Sequence, residues 1–528
     1  MLVSPRRAVS RHCIVCISLA LAVVLAAVSL ASPAGASPAV KKQWPSGGQN
    51  ISDTHSNPFE STIKTSNVGS LAVKWTFAPS GDVSATPAIV NGVAYFPDWG
   101  GYLNAVNTAT GVLVWRKPIS AYDGISPSDS RTSPAVSKGV VYIGDQQGAH
   151  LIAVKASTGK LLWNTQLDTH PSAIITQSPL VYKGVVYEGV SSSEQAAAKN
   201  PKYPCCTFRG SMTAVKAKTG HLMWKRYMVP ANGGATGGYS GGAVWSSTPA
   251  LDPATKTLYI TTGNNYTIPA SASTCQTDGG TPAQCLAPTN YIDAIVAMNA
   301  TTGTVKWADG QGGFDAWTEA CTPGGNANCP NPGADADFGS GAQLFTIKGT
   351  NGSRELVVGA GQKSGTYWEA DATTGKILWG TPVGPGGALG GVEWGSATDG
   401  SRIYVAEADS NKTPYTPAGS TQTITWGSWA ALDPTSGTIL WQTPDPSKGV
   451  DIGAVSTANG VVYAGSLSGQ MYAMDAATGS ILWNYLGQGS SIAGPAIVDG
   501  VVYWGNGYAH LGSSIGTGST TFYAFSLP

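Results

Sequence analysis

An eleven-residue phrase ending in tryptophan returns seven times along this chain and limits its fold more than any other feature. It reads AVNTATGVLVW to Trp115, AVKASTGKLLW to Trp163, AVKAKTGHLMW to Trp224 and AMNATTGTVKW to Trp307. Further copies are EADATTGKILW to Trp379, ALDPTSGTILW to Trp441 and AMDAATGSILW to Trp483. Apolar alternation before and after a Thr-Gly or Ser-Gly pair reads as strand, turn, strand. Asn107 or Asp433 can bond back to the turn amides, and glycine supplies the positive φ. The closing tryptophan carries more apolar surface than a lone hairpin can cover, so neighbouring units must stack over it. Repetition of this kind predicts a propeller.

The spacing between phrases is filled in a constant order. A Ser/Thr/Pro-flanked strand such as SATPAIV, RTSPAVS or WSSTPALD comes first, and a strand of the form VVYxG follows. About eight such second strands occur, as expected of a propeller. The last, GVVYWGN, has no Trp phrase after it, only TFYAFSLP. Its missing outer strand is expected from LAVKWTF around Trp75, which would close the ring and leave no sheet edge. The predicted fold is therefore all-β, an eight-bladed β-propeller with tryptophan-docking repeats over residues 71–528. An irregular lead over 37–70 precedes it.

Residues 1–36 read as a secretory signal: Arg6, Arg7 and Arg11 precede an apolar run from Ile14 to Leu30, and Ala34-Gly35-Ala36 offers a cleavage site. The other reading of this run is an uncleaved anchor. No later segment is apolar enough to span a bilayer. The remaining cysteines fall in close pairs, Cys205 with Cys206, Cys275 with Cys285 and Cys321 with Cys329, a pattern that reads as disulfides in an exported chain. Thirty Lys and Arg against thirty Asp and Glu leave no basic face for nucleic acid. There is no C-x-x-C-H, hence no attached haem.

Function is expected on the face where loops leave the second strands and enter the first. Long loops there carry residues outside the repeat: 191–210, 264–291 and 406–429. In these loops the sequence resembles the quinoprotein alcohol dehydrogenases, closest to the polyvinyl-alcohol dehydrogenase-like proteins, through SRTSPAV, PCCTFRGS and GAGQKSG. The resemblance implies pyrroloquinoline quinone and Ca2+ as cofactors, with an alcohol as substrate and a separate electron acceptor. It implies Glu194, Asn264 and Asp337 as metal ligands, Asp337 also as the catalytic base, and Lys363 at the quinone oxygens. It implies Thr176 and Ser191 as hydroxyls for a cofactor carboxylate and Trp245 and Trp394 as ring-packing plates. It also implies a Cys205–Cys206 disulfide beside the quinone, and Arg131 or Arg209 in place of the arginine that relatives carry where this chain has Asn91.

These residue types suit the chemistry independently of the likeness. A hard cation takes carboxylate and amide oxygens, and a flat polycarboxylate takes cations, hydroxyls and aromatic faces. Two residues depart from the pattern: Glu393 precedes Trp394 where relatives have asparagine, and Gly339 stands where lanthanide-using relatives carry an aspartate, which favours calcium. Because non-enzymatic propellers share the Trp phrase, a second reading stands beside the enzyme: a scaffold that binds proteins or polymers and has no cofactor.

Overall fold

The computed structural model describes residues 43–329, 332–349, 352–387, 389–510 and 515–528. The signal segment expected over 1–36, and the lead as far as residue 42, lie outside the described residues. The described chain forms eight four-stranded antiparallel blades, two of which gain a further short strand. Each is a meander whose last hairpin is the tryptophan phrase; in the first blade Ala88–Val90, Val93–Asp98, Tyr102–Asn107 and Leu113–Pro118 pair in order. The eighth blade takes its outer strand from Ala72–Phe77, which pairs with Phe522–Ser526.

The repeated tryptophan fastens one blade to the next by a polar and an apolar contact. Its ring N–H donates to a carbonyl of the following blade: Trp115 to Ala156 at 2.8 Å, Trp163 to Ala217 at 3.0 Å, Trp441 to Ala476 at 3.1 Å. Trp483 closes the circle on Leu71 at 3.0 Å. The turn glycine of the following phrase lies flat on the same ring; a Cβ on Gly479 would stand 2.5 Å from Trp441. Glycine is thus required twice, by a positive φ of 72° and by this close approach. At Trp379, where Pro434 stands in the alanine's place, the ring N–H makes no inter-blade bond and lies by Glu369.

The lead has no period because it is not a blade. From Trp44 to Asn57 it passes along the first strands, exchanging hydrogen bonds with Ile89, Val136, Leu251, Leu344, Thr398 and Thr457 by backbone, and with Ile497 through Asn57. It therefore touches seven of the eight blades, and Ser56–Asn57 adds a parallel strand to the seventh. Trp44 is fully buried.

Candidate active site

Loops that enter the first strands and leave the second strands converge on a chamber of about 730 Å³. Arg131, Thr176, Trp245, Asp337 and Trp394 arrive on entry loops, Asn264 and Lys363 on exit loops, and Ser191 at the end of the strand Val185–Ser192; all eight line it. Residues more than 200 positions apart are thus joined in one cavity.

Its charged centre is a buried trio. The Lys363 ammonium lies 3.0 Å from Asp335 Oδ1 and 3.3 Å from Asp337 Oδ2. The Lys363 amide donates to the Asp337 carbonyl at 2.9 Å, so the two loops are also joined by backbone. Asp337 Oδ1 accepts the Asn264 amide at 2.5 Å. Gly263 makes room for this: a Cβ there would fall 2.6 Å from the same oxygen. Burial disfavours the Lys363 ammonium, but the carboxylates of Asp335, Asp337 and Glu393 outweigh it and raise the group above its ordinary range. Burial pushes Asp335 up to about 7 despite Lys363, and Glu393 up to about 8 against the same cation.

Aromatic faces enclose these charges. Trp245 and Trp394 meet edge to face, centroids 5.6 Å apart at 85°, and Lys363 Nζ stands 5.4 Å from the Trp245 ring. Arg131 lies over Trp394 at 4.5 Å, and Thr176 donates to the Trp245 carbonyl at 3.1 Å. Trp99, Tyr266 and Trp317 complete the walls, and none of them is singled out by the sequence reading. A signal was available for two of them. Trp99 and Trp317, like Trp245 and Trp394, fall outside the eleven-residue phrase, and all four line the chamber.

Four expected contacts do not reach this wall. Glu194 is fully buried behind it: Oε1 accepts from the Tyr203 hydroxyl at 3.1 Å and the Thr207 amide at 2.9 Å, and Oε2 from the Phe208 amide at 2.9 Å. Cys205 and Cys206 are bonded to each other, and so are Cys275 with Cys285 and Cys321 with Cys329. The Cys205–Cys206 pair does not line the chamber; it immediately precedes the two amides that hold Glu194. Arg209 turns away, donating to the Val229 carbonyl at 2.9 Å and lying over Tyr227 at 4.0 Å. Of the two arginines that could stand in at Asn91, Arg131 is the one at the chamber.

A flat, polyanionic quinone fits what is present. Arg131 Nε, Trp245 Nε1 and Trp394 Nε1 are buried donors without a hydrogen-bond partner, set on the wall beside Lys363 and the Thr176 and Ser191 hydroxyls. Unpaired buried donors are costly, and an anionic ligand would satisfy them. The fit to a hard cation rests on Asn264 and Asp337. Both Asn264 side-chain donor bonds go to carbonyls, of Asn265 and Trp317, which leaves its Oδ1 as an acceptor beside the Asp337 carboxylate. Among the described residues no cluster of three or more His, Cys, Asp or Glu could hold a metal.

Similarity to known proteins agrees with this geometry. A polyvinylalcohol dehydrogenase of Sphingopyxis sp. (strain 113P3) is 30% identical over 503 residues, spanning 86% of this chain and 71% of that one. The quinohemoprotein alcohol dehydrogenase ADH IIB of Pseudomonas putida is 26% identical, spanning 86% and 71%. The solved quinohemoprotein alcohol dehydrogenase of Comamonas testosteroni superposes with a TM-score of 0.68 at 23% identity, over 92% of this chain and 80% of that one. A family model described as outer membrane protein assembly factor BamB matches residues 69–200 and 427–521. That match takes in docking repeats and passes over Trp245, Asn264, Asp337, Lys363 and Trp394, which all lie between its two segments.

Proposed function

This chain belongs to the polyvinylalcohol dehydrogenase family, and from that premise we propose that it is an exported, calcium-assisted enzyme oxidising primary or secondary alcohols, polyvinyl alcohol among them. It is a quinone-dependent alcohol dehydrogenase, as its curated relatives are. The single observation that carries the reading is the chamber: an acid, a base-stabilising cation, an amide oxygen and two crossed indoles, with buried donors that lack partners. A binding scaffold has no need of that arrangement.

Pyrroloquinoline quinone would supply a hydride acceptor for the alcohol carbon, and a calcium ion would supply Lewis acidity. Asn264 and Asp337 would hold the cation, with Glu194 fixing the segment of Tyr203, Thr207 and Phe208. Trp245 and Trp394 would pack on the flat ring, and Arg131, Thr176 and Ser191 would take its carboxylates. Asp337 would remove the hydroxyl proton of the alcohol, its other oxygen being fixed by the Asn264 amide. Lys363 would steady the negative charge that develops next to it. The aromatic walls lower the local dielectric and strengthen each of these interactions. Three disulfides support an oxidising compartment, and electrons would leave through a separate acceptor, since the chain has no haem-attachment motif.

The test is titration of the purified protein with the quinone and calcium, followed by dye-linked oxidation of polyvinyl alcohol and of short secondary alcohols. One quinone bound per chain and alcohol-dependent dye reduction are expected. Absence of both uptake and turnover would overturn the reading, and uptake with turnover of short alcohols alone would remove the polymer from it.

A further inference from the structure

Two carboxyl groups outside the chamber lie buried against its working loop. Asp315 stands in the excursion between Val305–Gly310 and Gln343–Lys348, at 2% exposure, and does not line the cavity. Its Oδ1 accepts the Asp335 amide at 3.2 Å and its Oδ2 the Ala336 amide at 2.6 Å. Its own carbonyl accepts the Asn265 amide at 3.1 Å, and Trp317 continues that pairing: its amide donates to the Asn265 carbonyl, and its carbonyl takes Asn264 Nδ2 at 2.8 Å. One residue thus joins the strand Asn265–Thr267, through its backbone, to the Asp335–Asp337 turn, through its side chain.

That turn needs holding. Asp335 adopts a φ of 55°, a left-handed conformation that an aspartate enters at some cost. Two amides anchored to one carboxylate fix it, and Asp337 follows directly. Asp293 lies fully buried beside Asp315. Burial raises both carboxyls, and the charge of Asp315 raises Asp293 further. Asp315 accepts both amides with its two carboxyl oxygens. Glycines admit both groups: a Cβ on Gly333 would fall 2.0 Å from Asp315 Oδ1, and one on Gly312 2.1 Å from Asp293 Oδ2.

We propose that Asp315 is the positioning residue of this active site, its carboxylate clamping the Asp335 and Ala336 amides so that Asp337 is set between the Asn264 amide and Lys363. This rests on Asp337 being the base. Asparagine at 315 offers one acceptor oxygen instead of two and must release an amide; hydrogen bonds to a charged acceptor are strong enough that about a tenfold or greater effect is expected.

The experiment compares Asp315→Asn and Gly333→Ala with the unchanged protein. The second variant keeps the carboxylate and its charge but drives a methyl group into it. Amide hydrogen exchange across 333–338 is followed in cofactor-free protein, and kcat and KM are measured on quinone-loaded protein. Exchange at residues 335 and 336 should quicken about tenfold or more, while kcat falls by a similar factor with KM and quinone stoichiometry little changed. Unchanged exchange in a folded variant overturns the clamp. Faster exchange with unchanged kcat overturns its catalytic importance. Should Asp315→Asn not fold, Gly333→Ala decides alone. Failure of the base assignment is read separately, from turnover of Asp337→Asn, and leaves the exchange result standing.

Discussion

Replacing Asp337 with asparagine separates catalysis from binding. In the structure Oδ1 takes the Asn264 amide at 2.5 Å and Oδ2 faces the Lys363 ammonium at 3.3 Å. An asparagine can keep its oxygen on the Asn264 amide, but its NH2 then points a donor at a cation. Lys363 retains Asp335 at 3.0 Å, so the buried ammonium is not abandoned. The structural cost is that of one charge-assisted hydrogen bond, about 1.5–3 kcal/mol, which a propeller of eight interlocked blades should survive. The chemical cost is the proton acceptor itself, about 10²–10⁴-fold in rate. We expect a folded protein that still takes up quinone and calcium stoichiometrically by absorbance titration, yet reduces dye at least a hundredfold more slowly. Turnover close to that of the unchanged protein, with saturating quinone and calcium, would refute Asp337 as the base and direct attention to Asp335. Glu194→Ala is the companion: it removes the acceptor of the Tyr203, Thr207 and Phe208 donors, so the loop loosens and quinone and calcium are retained poorly together.

Trp245→Ala and Trp115→Ala should part company: the first weakens quinone retention in a titration, whereas the second, a blade-to-blade plate, costs about 3–5 kcal/mol in denaturant unfolding. Arg131→Ala should weaken quinone uptake while Arg209→Ala leaves it unchanged, because only Arg131 stands on the chamber wall. Burial raises the Glu369 carboxyl from 4.5 to about 9. The folded chain therefore binds this proton more tightly than the unfolded one, and stability falls as pH rises through that window. Glu369→Gln should flatten the decline, read from urea midpoints measured across it. Deleting residues 43–57 should cost cooperative unfolding, seen by calorimetry, because seven blades lose a bond to the lead.

Much of the architecture is legible in the chain because it is written at short range. The Asx turn of Asp433, the left-handed glycine and the terminal tryptophan all lie within eleven residues, and repetition makes the pattern unmistakable. A family model of a BamB description matches two segments that hold four of the docking repeats, and Trp245, Asn264, Asp337, Lys363 and Trp394 fall between them. Trp245, Asn264, Asp337, Lys363 and Trp394 were legible through the likeness of their loops to those of quinoprotein alcohol dehydrogenases, and the structure places them on one wall.

What the sequence leaves open is whatever depends on direction and on distant partners. Arg131 and Arg209 are equal candidates by type; only the packing of blades turns one onto Trp394 and the other onto Tyr227. Glu194 carries the same carboxyl whether it lines a cavity or takes two amides behind it. Asp315 reaches residues twenty positions away, and the lead bonds strands up to 440 positions away, at no repeated spacing. Periodicity records how each strand meets its neighbour in the same blade. Which side chain then faces the axis is decided when eight blades close into a ring, because closure alone fixes the loops against one another.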